Sequence, residues 1–224
     1  MSFEAMLRLT EVLLALVVLQ TALEHFWQGR DRALYAARIA LCLGVLGGWH
    51  TGIAIVGLWI TSLILLHRFG GPYNGGADKM TILITTCLGA AHLFPDWAEL
   101  AMAYLAVQLV LSYFVSGYVK IKNPEWRSGQ ALVDVFRFSA YPVSEQLRGW
   151  ADQPALLWLM SWSVIGFEVV FPLTLLHPLA LWIGMAVAAT FHFANACLFG
   201  LNRFFWIWIC AYPSLIWFQE RVLG

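Results

Sequence analysis

The chain has 224 residues, of which 61% are hydrophobic and only 12% charged, about half the charged share of a soluble domain. That balance excludes an ordinary globular enzyme and places the protein in a bilayer. The formal net charge is zero and there is no recognition motif, so nucleic acid is not an expected partner.

Residues 9–27 form the first predicted span. Glu4, Arg8 and Glu11 precede its apolar run in place of a basic n-region, so this segment is expected to stay in the protein rather than be removed as a signal peptide. Residues 33–47 and 52–66 are two short spans joined by Gly48-Trp49-His50-Thr51, a tight hairpin turn. The loop HRFGGPYNGGADK, 67–79, has no GKS or GKT, which sets aside a phosphate loop. Residues 80–94 are a fourth span, and Pro95-Asp96 turns the chain into the fifth, 97–119. Its twenty-odd apolar residues cross a hydrocarbon core of roughly 30 Å at about 1.5 Å per residue.

The segment 120–153 is too polar to span, yet Val133, Val135, Phe136, Phe138 and Leu147 give it apolar content; it is expected to be interfacial or re-entrant. Residues 154–176, 179–198 and 204–218 complete the count. The expected fold is all-α: a polytopic membrane helix bundle of about eight transmembrane helices with an interfacial or re-entrant segment between helices 5 and 6. It reads as a single transmembrane domain over 1–224 with no extramembrane domain after the last span. With eight spans, all but Arg8 and Arg221 of the 13 lysines and arginines fall on one side. The positive-inside rule makes that side cytoplasmic. A multi-pass protein of the cell inner membrane, in contact with membrane lipid, is the expectation.

Chemistry is sought where the bilayer makes polar groups costly, since a charge at mid-helix depth costs about 2.5–3.5 kcal/mol on insertion scales. The fifth helix carries Gln108, Ser112, Ser116 and Lys120 at steps of four, with Tyr113 beside them, a polar stripe on one face. Such a stripe serves either helix–helix hydrogen bonding or a site. Lys120 itself reads either as a side chain snorkelling to the headgroups or as a base. Lys122, two residues on, is turned about 200° away if the helix continues. Glu168 lies four residues before Pro172, and proline cannot donate to the carbonyl four residues back, so that oxygen is freed at Glu168 itself. His192 and Asn195, three apart, share a helix face. The six histidines form no HExxH and no close pair with one another, and the four cysteines no CxxC; no metal is expected.

Two stretches carry a resemblance. SGYVKIKNPEWRSGQAL and, some sixty residues later, FHFANACLFGLNRFFW resemble the transmembrane domain of vitamin K-dependent gamma-glutamyl carboxylase and its bacterial relatives, the horizontally transferred transmembrane (HTTM) family. The first motif is a glycine, a catalytic lysine three residues later, then a tryptophan and a glycine, here Gly117, Lys120, Trp126 and Gly129. The second is Phe191, His192, Asn195, Leu198 and Phe199. The NGGAD loop, 74–78, and the helical Glu168 also resemble family features.

What this resemblance implies is a membrane enzyme in which a neutral lysine deprotonates reduced vitamin K, reaction with oxygen yields a strong base, and that base removes a gamma proton from peptide glutamate before carbon dioxide adds. Lys120, His192 and Glu168 are then the catalytic residues. Tyr113, Ser116, Trp126, Asn195 and Phe199 line the site of an isoprenoid quinol, and a peptide or small molecule is the substrate. The alternative is a non-catalytic helix-bundle subunit, or a small-molecule transporter or binding protein, in which the same polar groups pack helices or hold solute.

Overall fold

The computed structural model describes residues 2–29, 31–68, 75–139, 144–222 and 224. Among these residues the structure is helical with no strand: α1 (Phe3–Gln28), α2 (Arg32–Gly47), α3 (Thr51–Arg68), α4 (Gly76–Leu93), α5 (Ala98–Lys122), α6 (Pro124–Ser128), α7 (Gln130–Phe138), α8 (Pro154–Val170), α9 (Pro178–Phe199), α10 (Asn202–Cys210) and α11 (Tyr212–Val222). Short 3₁₀ turns cover Pro95–Trp97, Glu145–Asp152 and Phe171–Leu176. Five helical stretches are long and apolar enough to cross a bilayer: Phe3–Gln28, Thr51–Arg68, Pro95–Lys122, Pro154–Leu176 and Pro178–Phe199. The protein is therefore a multi-pass membrane protein. Arg30 and residues 69–74, which include Asn74 of the NGGAD loop, lie outside the described residues.

The chain forms two compact units, one of Met1–Val107 with Trp206–Val222, the other of Gln108–Phe205. In the first, Ser2 caps α1 by accepting from the Ala5 amide at 3.3 Å, and Gly29, at φ 87°, ends it. Its buried stripe of Met6, Thr10, Leu14, Val18 and Ala22 recurs every four residues, the period of one helix face. Glu11 is buried on that helix and is satisfied from two sides, by Arg8 at 2.9 Å and by His92 of α4 at 2.6 Å. Arg8 also donates to the carbonyls of Val45 (2.8 Å) and Leu46 (3.1 Å) in the last turn of α2, where helical carbonyls run short of intrahelical donors. Arg38 sits inside α2, buried, and donates to Thr61 and Ser62 of α3 at 2.9 and 3.1 Å. It ties helices together rather than marking a membrane face. The final stretch breaks into α10 and α11 because Pro213 has no N–H for the carbonyl four residues back.

In the second unit, the segment after Lys122 folds as α6, α7 and a 3₁₀ turn. Residues Val133 and Phe136 of α7 turn inward against Ala151 and Leu157, while Phe138 stays exposed. Arg137 pairs with Asp152 at 3.2 Å, and Arg148 bonds both Glu145 (2.6 Å) and the Arg137 carbonyl (2.7 Å), closing the hairpin. At the far end of α8, regular helix stops at Val170 and continues as 3₁₀ through Pro172. A 3₁₀ turn asks each carbonyl to accept from a nearer residue, which accommodates a proline without an amide hydrogen.

Candidate functional site

The stripe on α5 resolves into two adjacent polar clusters of the second unit. Lys120 and Glu168 form the first. The lysine Nζ donates to Glu168 Oε2 at 2.6 Å and Oε1 at 2.8 Å, and to Ser116 Oγ at 2.6 Å. The Ser116 hydroxyl in turn donates to Glu168 Oε1 at 3.1 Å. Lys120 is 13% exposed and Glu168 3%, so the lysine is drawn into the unit by a carboxylate rather than extended toward headgroups. Because α5 continues to Lys122, the second lysine faces elsewhere, its ammonium 5.5 Å from the Tyr118 ring.

This pairing depends on close approach of α5 and α8. At Gly117, one helical turn before Lys120, a Cβ would lie 2.8 Å from both the Glu168 Cβ and the Val169 nitrogen. Only glycine lets the backbones meet there, as at small-residue contacts between membrane helices.

The wall over the pair is α6. Asn123 caps it by accepting from the Glu125 amide at 2.8 Å, and the Trp126 ring lies 4.9 Å from Lys120 Nζ, within cation–π range. The Ser161 hydroxyl donates to the Trp126 carbonyl, and the Trp162 indole donates to the Arg127 carbonyl at 3.0 Å, pinning α6 to α8. Gly129, at φ 83°, passes 2.9 Å from the backbone of Trp158, measured from where a Cβ would stand. A positive φ and a missing side chain are both needed there.

The second cluster lies two turns earlier on α5. The Tyr113 hydroxyl and His192 Nε2 are 2.8 Å apart, both groups buried. Phe171 (4.3 Å from Tyr113, ring centre to ring centre), Phe167 (5.4 Å), and Phe191 and Phe204 (5.1 and 4.8 Å from His192) enclose them.

The remaining candidates go elsewhere. Asn195 donates to its own helix, at the Phe191 carbonyl (2.9 Å), and Phe199 packs on Phe136 of α7 at 5.2 Å. Ser112 turns back to the Leu109 carbonyl at 2.7 Å. Sequence reasoning did not single out Ser161 or Trp162, although a serine and a tryptophan in the middle of an apolar helix are a usable sign of a partner backbone.

Chemically, an amine and a carboxylate at 2.6 Å exchange a proton without any large movement. Among the described residues no three His, Cys, Asp or Glu side chains converge as ligands of a metal would.

A protein-family model described as HTTM domain matches residues 89–220, more than half of the chain and the whole of both clusters. No curated protein and no solved structure matches.

Proposed function

We propose that this chain, which belongs to the HTTM domain family, is a membrane enzyme that uses a lipid quinol, with Lys120 as the base, in a carboxylase-like proton abstraction. The observation that carries the reading is the Lys120–Glu168 contact, 2.6 Å long and almost wholly buried. The donor set suits a quinol: an amine, a serine hydroxyl, a phenol–imidazole pair and an aromatic wall. When bound, the quinol supplies the reducing equivalents that, with oxygen, drive removal of an unactivated proton.

The residues divide the remaining work. Glu168 takes the proton from Lys120 and leaves the amine neutral, the form able to accept a hydroxyl proton. Ser116 bridges amine and carboxylate and keeps both aimed at one point. Trp126 closes the site against water, and the Tyr113–His192 pair donates and accepts two turns deeper in the helix bundle. The eight-span topology, with the segment 120–153 at the cytoplasmic surface, belongs to this proposal, as does an inner-membrane location.

Two measurements test the function. Mass spectrometry of the purified protein is expected to find a co-purified lipid quinone. Oxygen uptake with added quinol is expected to fall about 100-fold or more in Lys120→Ala, to fall in Glu168→Gln with the protein still folded, and to persist in Lys122→Ala. Full activity in both lysine variants overturns the assignment and leaves the polar groups as helix-packing contacts of a non-catalytic bundle.

A further inference from the structure

Helix α6 is a single turn of five residues, Pro124–Ser128. A helix so short does not hold itself together, because ordering the first turn costs more than its few bonds return. Its last carbonyls also lack helical donors. Gly129 gives one amide back to the Trp126 carbonyl at 3.2 Å. Two further donors come from α8: the Ser161 hydroxyl to the same Trp126 carbonyl, and the Trp162 indole to the Arg127 carbonyl at 3.0 Å.

The serine is the informative one. A serine hydroxyl inside an apolar helix commonly turns back to a carbonyl of its own helix, as Ser163 does to Leu159 at 2.8 Å and Ser112 to Leu109 at 2.7 Å. Ser161 is fully buried and donates across to α6 instead. It stands on the buried face of α8 that also carries Glu168, two turns away along the helix. One face of α8 therefore holds the Lys120 side chain at Glu168 and, at Ser161, the backbone that carries Trp126. The Trp126 ring lies 4.9 Å from Lys120 Nζ. Lys120 is two residues from the end of α5, a place from which a lysine ordinarily reaches water, yet it is only 13% exposed.

We infer that Ser161 and Trp162 are positioning residues for Lys120: by holding two carbonyls of α6 they set Trp126 as a cover over the amine, and loosening either bond opens the amine to water. The purpose of the cover rests on the reading of Lys120 as the base, since water at the amine competes for the proton the reaction must move. The placement of the cover stands without that reading.

The test uses the full chain in nanodiscs and a water-soluble acetylating reagent, with acetylation of each lysine read by mass spectrometry. Lys122, exposed near the same corner, is the internal reference. In wild type, Lys120 is expected to react about tenfold or more slowly than Lys122. Ser161→Ala and Trp162→Phe are each expected to speed acetylation of Lys120 about fivefold, the worth of one neutral hydrogen bond, and to leave Lys122 unchanged. Ser163→Ala removes a hydroxyl that serves only its own helix and should react as wild type. A spectroscopic reading accompanies the rates: with 5-fluorotryptophan incorporated, the Trp126 fluorine resonance, assigned by its loss in Trp126→Phe, is expected to move in Ser161→Ala and to stay in Ser163→Ala. Lys120 rates that match wild type in both Ser161→Ala and Trp162→Phe overturn the inference. So does equal acceleration of the two lysines, which is general loosening, or acceleration found in Glu168→Gln alone, which makes the ion pair the only shield. Acetylation and fluorine spectra as expected in a protein that shows no quinol-dependent oxygen uptake reject the quinol function and keep the cover.

Discussion

Gly117→Ala is the smallest change that tests how the site is held. The added Cβ would stand 2.8 Å from the Val169 nitrogen and the Glu168 Cβ. Neither atom is the mobile end of a side chain, and ordinary contact is roughly 3.5 Å. The helices α5 and α8 must therefore part by about 0.7 Å. The Lys120–Glu168 bond, 2.6 Å and one turn away, would stretch toward about 3.3 Å, past the range of a good hydrogen bond.

Overpacking of this kind costs about 1–3 kcal/mol, and alanine's better helix propensity returns about 0.5–1 kcal/mol. The net destabilisation is about 0–2.5 kcal/mol, which for a chain of this size lowers Tm by up to about 10 °C. Gly166→Ala is the matched control, since a Cβ there meets nothing within 4 Å; it gains the propensity term alone and raises Tm by about 1–4 °C. Thermal melts of both variants in the same detergent, followed by intrinsic fluorescence, give the comparison. If Gly117→Ala melts at or above wild type, the close approach at Gly117 is not what positions Glu168.

Other expectations follow from individual contacts. Tyr113→Phe removes one buried hydrogen bond to His192 and should cost about 1 kcal/mol, or about 2–4 °C in the same melt; no change would mean the contact carries no stability. Turnover lost in Lys120→Ala should return in part with an exogenous small amine, whereas a lysine that only ties α5 to α8 would not be rescued. The hydrogen bond from Arg148 holds the Glu145 carboxyl below its ordinary value. A depressed carboxyl pKa stabilises above the unfolded value near 4.3 and is lost as pH falls through the folded one, so the Arg148 Nε–H resonance should titrate with a midpoint below about 4.3. A midpoint at or above it would refute the pairing. Cysteines placed at Gln28 and Ser128 should label from one side of the membrane, as the charge asymmetry of the sequence predicts; labelling from opposite sides would reject the eight-span count.

Element by element, the helical starts and stops were largely legible in the sequence. Hydrophobic runs, Gly29, Gly48, Gly129 and Gly200 at helix ends, and Pro95, Pro154 and Pro178 at helix starts act locally, through φ and missing amides, and need no tertiary information. Pro172 likewise marked where α8 changes pitch. The stripe of Ser116 and Lys120, Glu168 in its apolar helix and His192 lie on the faces of α5, α8 and α9 that meet in the Lys120–Glu168 and Tyr113–His192 contacts.

What the sequence left open was every partnership between helices. Lys120 could have snorkelled, and the carboxylate that draws it inward lies 48 residues away. Tyr113 and His192 are separated by 79 residues. Arg38 read as a face charge until α3 supplied its hydroxyl partners, and Asn195 and Phe199, on the motif, turned to their own backbone and to α7. Periodicity assigns a residue to a face of its helix. Which face meets which neighbour is decided by packing, here by a missing side chain at Gly117 that lets two backbones close until an amine and a carboxylate touch.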